Sequence, residues 1–178
     1  MISIHLTKKS DVSQLSAIEY SAAQLFRLIP ELSWIADGHV QTEQQHLDYI
    51  SQSNSWVALS EGGHPVGFIL ASSLDDGLHI MELSVHQHWQ KKGIGKALIE
   101  KVVQVAKQRH LAAVTLTTFR DVYWNAPYYQ RLGFNILEPQ QITEALHQIL
   151  QNEIDYGFTQ EQRCAMRLTI SAHSDQRT

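Results

Sequence analysis

Between residues 78 and 105 the chain changes its hydrophobic period inside a glycine-containing turn. LHIMELSV (78–85) is an apolar run of strand length, whereas Ile94, Ala97, Leu98, Val102 and Val105 recur at the spacing of one helix face. The link between them, WQKKGIGK (89–96), holds Gly93, Gly95, Lys91, Lys92 and Lys96. Any fold of this chain must therefore deliver a strand through a short turn into a helix N-terminus. Such a terminus exposes amides without intrahelical partners and carries about half a positive charge, and glycine lets the backbone come close to an anion. A pyrophosphate suits that place. By itself the turn is equally compatible with a solvated lysine face.

Two phosphate motifs fail on this stretch. A P-loop requires glycine five residues before the Gly-Lys pair and Ser or Thr after it, where the chain has Gln90 and Ala97. A dinucleotide fingerprint requires a third glycine where Leu98 stands.

The flanking sequence supplies the rest of the topology. ISIHL (2–6) alternates like a strand, and Ser10 or Asp11 can cap a helix carrying Val12, Leu15, Ile18, Ala22 and Leu25. RLIPELSWIADGHV reads as irregular, and Thr42 with Gln45 forms a capping-box pattern opening a second helix. WVALSE (56–61) and PVGFILASS (65–73) flank Gly62-Gly63 as a hairpin, and Asp75-Asp76-Gly77 turns the chain into the 78–85 strand. AAVTLTTF (112–119) suits a central strand, Asn125 and Gly133 bracket a short helix before FNIL (134–137), a helical QITEALHQILQNE follows, and RCAMRLTI (163–170) is a last strand. The order β-α-α-β-β-β-α-β-α-β-α-β predicts an α/β (α+β) fold: one domain over 1–170 with a mixed sheet and helices on both faces, then a polar tail over 171–178.

Composition narrows the function. A net charge of −4 argues against a generic nucleic-acid binder, whose affinity comes from clustered cations releasing counterions. Cys164 stands alone, so no intrachain disulfide is expected, and a four-ligand site built mainly on thiolates is ruled out. The ten histidines are scattered, and His86 and His88 have no carboxylate–histidine set at ligand spacing, so no metal is expected. No apolar run reaches the roughly 20 residues that span a bilayer, which predicts no membrane partner and a cytoplasmic protein.

ELSVHQHWQKKGIGKALIEKVVQVA (82–106) resembles the signature segment of the GNAT superfamily of acetyl-CoA-dependent N-acetyltransferases: a strand, Gln/Arg-x-x-Gly-x-Gly/Ala, then a helix. YYQRLGF (128–134) resembles that family's Tyr-x-x-x-Gly-Phe element, and the element order agrees from residue 2 to about 170. The resemblance implies a mostly antiparallel sheet splayed between its fourth and fifth strands, with acetyl-CoA as co-substrate. It implies that the main chain of Leu83, Ser84 and Val85 pairs with pantetheine. It likewise implies that Lys91, Lys92, Gly93, Ile94, Gly95 and Lys96 hold the pyrophosphate, mostly through amides.

Tyr129 aligns with the family tyrosine that protonates the departing thiolate, and a phenol with an ordinary pKa near 10 is a competent acid. An asparagine common in the family falls at Val122 here; Asn125 either replaces it as a cofactor contact or only caps its helix. The general base is expected on the fourth strand, at Glu82 or at His79, with Glu82 preferred because a carboxylate also suits a cationic amine. Phe26, Ile29, Glu31 and Trp34, with Asp37, occupy the place where the family builds its acceptor pocket. A small amine such as a short diamine or polyamine is the first expectation, with protein N-termini and aminoglycosides as rivals. A non-catalytic acetyl-CoA-binding module is the reading from another class. Dimers are common in the family, so a homodimer is compatible with the resemblance.

Overall fold

The computed structural model describes residues 1–171, so the expected tail lies, beyond Ser171, outside the described residues. The chain divides into two compact units, Met1–Ser72 with Met81–Lys101, and Ser73–Ile80 with Val102 onward. A seven-stranded sheet of order β1-β2-β3-β4-β5-β7-β6 carries the strands, which follow the element sequence predicted above.

In the first unit, β1 (Ser3–Leu6) pairs antiparallel with β2 (Ser55–Leu59), which pairs antiparallel with β3 (Pro65–Leu74). Gly63 turns the β2–β3 hairpin at φ 75°, a left-handed conformation that glycine adopts without a Cβ penalty. Helix α1 (Val12–Ala23) lays Leu15 and Ile18 against Val57, Phe68 and Leu70, all buried. Each such side chain contributes about 1.5–3 kcal/mol on burial. Its start differs from expectation: Asp11 closes a 3₁₀ turn (Lys9–Asp11) by accepting the Lys8 N–H at 2.8 Å and does not cap α1 itself. Helix α2 (Glu43–Ser51) has the expected box, with the Gln45 N–H donating to Thr42 Oγ1 and the Thr42 N–H to Gln45 Oε1.

Helix α1 stops at Ala23, short of Leu25, which it was expected to carry; a 3₁₀ helix, Gln24–Leu28, follows it, and a second, Pro30–Asp37, lies within the stretch read as irregular. They are separated by Ile29 at φ −118°, ψ 105°, because a proline drives the residue before it out of helical geometry.

In the second unit, the first residues of β4 (Gly77–Val85) run parallel to β5 (Ala113–Phe119), from Gly77↔Ala113 to Ile80↔Leu116. A Cβ added at Gly77 would fall 2.2 Å from the Ala113 carbonyl oxygen, so glycine is what lets the two strands meet. On its other edge β5 pairs antiparallel with β7 (Arg163–Thr169) along its whole length, and β7 pairs with the short β6 (Asn135–Ile136). Helix α5 (Glu144–Tyr156), capped by Thr143, packs Leu146 against Leu137 and Ala165. The Glu153 carboxylate on this helix takes two hydrogen bonds from the Arg163 guanidinium, at 2.9 and 3.0 Å, which lies over Phe119 and Phe158. No helix among the described residues is long and apolar enough to cross a membrane.

Candidate active site

The turn leaving β4 is built by short-range hydrogen bonds. The His86 N–H donates to the Val66 carbonyl at 2.9 Å, the Trp89 N–H to His86 O at 2.8 Å, and the Gln90 side-chain amide to Val85 O at 3.0 Å. Lys92 Nζ sits 4.8 Å above the Trp89 ring. Lys91 (φ 59°) and Gly93 (φ 79°) are both left-handed, so the backbone doubles back immediately before helix α3 (Ile94–Gln108). The Gly93 carbonyl accepts the Ala97 N–H at 3.0 Å, which makes Gly93 the N-cap of α3. A glycine cap brings no side-chain acceptor to the first amides of the helix, those of Ile94, Gly95 and Lys96. A Cβ built on Gly93 meets nothing within 4 Å, so there is open space beside the residue that leads into α3. One at Gly67 would stand 3.0 Å from Ser84 O and 3.4 Å from an Ile94 methyl, so β3 presses directly on the end of β4 and the start of α3.

Within β4, Ser84 is buried and its hydroxyl donates to Glu82 Oε1 at 2.7 Å. The two residues share a face, as the period of two requires. Leu83 and Val85 on the other face are half-buried. Glu82 acts electrostatically on Glu19 of α1, a residue that sequence reasoning passed over. Burial, first, and the Glu82 charge, second, push the Glu19 carboxyl well above the usual carboxylate range, while the Gln41 N–H, donating to Glu19 Oε2 at 2.9 Å, works against them. The available signal was positional, since Glu19 stands four residues after Leu15, at the border of the buried stripe.

His79, the other base candidate, belongs to the second unit. It is 2% exposed, its Nδ1 lies 2.9 Å from the Thr115 hydroxyl, and burial drives its pKa down to about 4 against the opposing charges of Glu153 and Asp75. In the same unit, helix α4 (Ala126–Arg131) carries Tyr129, buried and edge-on to Phe134 at 5.9 Å. Gly133, at φ 95°, ends the helix, and the Phe134 N–H returns to Tyr129 O at 3.1 Å. Asn125 holds the N-cap position without a side-chain capping bond. Its Oδ1 is buried with no hydrogen-bond partner among the described residues.

The residues expected to wall the acceptor pocket stand on the two 3₁₀ helices. Phe26 and Ile29 are half-buried, Glu31 is exposed, and Trp34 is 40% exposed. Asp37 binds Arg27 at 2.6 Å, which holds the guanidinium firmly protonated and occupies the charge that was expected to attract a cation. Among the described residues no three of His, Cys, Asp or Glu stand where they could share a metal ion.

The family model described as "Acetyltransferase (GNAT) family" matches residues 21–134. The chain belongs to the GNAT acetyltransferase family. The matched residues include all of β4, the glycine turn, α3 and Tyr129. Among curated GNAT relatives, the mouse N-acetyltransferase family 8 member 3 is 33% identical over 94 residues, covering 48% of this chain and 41% of the mouse protein. The zebrafish N-acetylaspartate synthetase is 35% identical over 81 residues, covering 44% of this chain and 28% of that protein. The chain thus spans less than half the length of these relatives. Among solved structures, the PaiA N-acetyltransferase of Thermoplasma acidophilum, in complex with coenzyme A, superposes with a TM-score of 0.70 at 16% identity over 96% of this chain and 99% of that one. At that identity the GNAT fold is what the two have in common.

Proposed function

We propose that this chain moves the acetyl group of acetyl-CoA to a primary amine of a small molecule, a short diamine or polyamine, by direct attack in a ternary complex. The observation that carries the cofactor half is the doubled-back turn, where left-handed Lys91 and Gly93 lead straight into the first turn of α3 with open space beside Gly93. Such a turn at a helix N-terminus suits a diphosphate, and Lys91, Lys92 and Lys96 add positive charge. The main chain of Leu83, Ser84 and Val85 carries the pantetheine arm. The orphaned Oδ1 of Asn125 suits a donor on the cofactor, as a buried acceptor is costly when left unpaired.

Acetyl-CoA supplies the activated acyl group; the chain supplies binding and proton transfer. A primary amine is protonated at neutral pH, so a base must take one proton before nitrogen can attack. Glu82 suits that role better than His79. Glu82 is half-buried and its carboxylate accepts the Ser84 hydroxyl, whereas His79 is buried against Thr115. Tyr129 gives its phenolic proton to the departing sulfur. An acidic side chain at the position of the base, Glu82, favours a cationic acceptor over an anionic one.

The test is thiol release from acetyl-CoA, followed with a thiol reagent, against putrescine, spermidine, aspartate, an aminoglycoside and a peptide with a free N-terminus. Release that depends on the diamine or polyamine is expected. Release with aspartate or peptide alone would reassign the acceptor. Calorimetric binding of acetyl-CoA without release by any amine would mark a non-catalytic module.

A further inference from the structure

The 3₁₀ turn Gln87–Trp89, which joins β4 to the glycine turn, is tied down on three sides. The Gln87 N–H donates to Ser21 Oγ on α1 at 3.1 Å, the His86 N–H to the Val66 carbonyl of β3 at 2.9 Å, and the Gln90 side-chain amide to Val85 O of β4 at 3.0 Å. Trp89 closes this turn by donating its N–H to His86 O at 2.8 Å, and it is half-buried. Its ring is therefore carried by a segment that three elements anchor.

Lys92 comes three residues later, exposed, between left-handed Lys91 and Gly93. Because the backbone doubles back there, its side chain returns over the Trp89 ring, with Nζ 4.8 Å from the centroid, inside the roughly 6 Å reach of a cation–π contact. Lys96, by contrast, shares its charge with Glu100, whose carboxylate lies 3.7 Å from Nζ one helical turn on.

The two partners do different things to an ammonium. A carboxylate neutralises it, so an incoming anion must compete for the charge. An aromatic face attracts the ammonium through its quadrupole and leaves the charge whole. It also covers one side, and a lysine has three N–H donors to turn towards other acceptors. What the ring removes is freedom: an unrestrained lysine stem loses rotamer entropy when it binds a ligand, and restraint in advance lowers that cost. A lysine held over a tryptophan is thus a confined cation with its charge still available.

We propose that Trp89 is a positioning residue for the cofactor: its ring confines the Lys92 ammonium, two residues before α3 begins, for a contact with the diphosphate of acetyl-CoA. This rests on the reading of the glycine turn as the diphosphate site. The diphosphate is preferred over the 3′-phosphate of the cofactor because Lys92 directly precedes Gly93, the cap residue of α3.

The experiment is a double-mutant cycle read as calorimetric Kd for acetyl-CoA and for its 3′-dephospho analogue. It uses the wild type, Trp89→Leu, Lys92→Met and the double variant, with Trp89→Phe alongside and thermal melts to establish that each is folded. Trp89→Leu should weaken acetyl-CoA about three- to tenfold, and Trp89→Phe, which keeps an aromatic face, should recover most of that loss. In the Lys92→Met background Trp89→Leu should change Kd by less than about twofold, since the cation it acts through is gone. The 3′-dephospho ligand should give the same pattern. Equal losses from Trp89→Leu in both backgrounds would show that Trp89 acts by shaping the turn and not through Lys92, and would overturn the proposal. Lys92 is exposed, so Lys92→Met leaves the packing intact, and an unchanged Kd in that variant alone would overturn it as well. A pattern lost with the 3′-dephospho ligand would move Lys92 to the 3′-phosphate and end the diphosphate assignment. No binding of acetyl-CoA by the wild type would instead remove the reading of the glycine turn itself, and this proposal with it.

Discussion

Gly93 and Gly63 offer a matched pair for measuring what the glycine turn does. Both are left-handed, at φ 79° and 75°, and a Cβ on either meets nothing within 4 Å. Replacing either by alanine should therefore cost the same conformational penalty, about 1–2 kcal/mol, and lower Tm by about 2–4 °C for each kcal/mol in a chain of this size. They differ in location, since Gly63 tips a hairpin while Gly93 caps α3. If amides around Gly93 grip the cofactor diphosphate, a methyl group projecting from that backbone displaces at least one charge-assisted hydrogen bond, worth about 1.5–3 kcal/mol. Gly93→Ala should thus weaken acetyl-CoA about 10- to 150-fold, at roughly tenfold for each 1.4 kcal/mol, while Gly63→Ala leaves affinity within a factor of two. Calorimetric Kd values and thermal melts of both variants give the comparison. Equal affinities in the two variants, with equal losses of Tm, would refute the diphosphate reading of the turn.

Two further outcomes follow from the second unit. Gly77→Ala should cost at least about 1–3 kcal/mol, because the 2.2 Å approach to Ala113 O can be relieved only by moving β4 off β5; a urea midpoint unchanged from wild type would contradict it. His79 stays neutral down to about pH 4 although free imidazole protonates near 6.5, so stability present above pH 6.5 is lost as pH falls towards 4, by up to about 3 kcal/mol. His79→Gln should flatten that acid slope in urea titrations from pH 7 to 4.5, and identical slopes would show that His79 is not its source.

The elements that were legible in the sequence are those whose cause is local. The Thr42–Gln45 box, the Gly62-Gly63 hairpin, the helix stop at Gly133 and the change of period around Gly93 each depend on residues within a few positions of one another. So does the family resemblance, which rests on two contiguous blocks. The 24–37 segment was half legible: Pro30 announces a break, but the choice of two 3₁₀ helices over an open loop depends on how Leu32 and Ala36 become buried.

What required the tertiary structure is everything that depends on which distant residues meet. Nothing in RCAMRLTI says that it inserts between β5 and β6, because a strand's pattern specifies its faces and not its neighbours. His79 and Glu82 lie on one strand, and nothing in the strand's pattern announces that His79 is buried against Thr115, 36 residues on. Glu19 became distinctive only through Glu82 and the Gln41 amide, because a carboxyl's proton affinity is set by the charges and donors around it and not by its own chemistry. The sequence alone determined the elements, the family signature and the glycine turn before α3; the folded chain decided which acidic and basic side chains are desolvated, since desolvation and charge coupling arise only when remote segments are brought together.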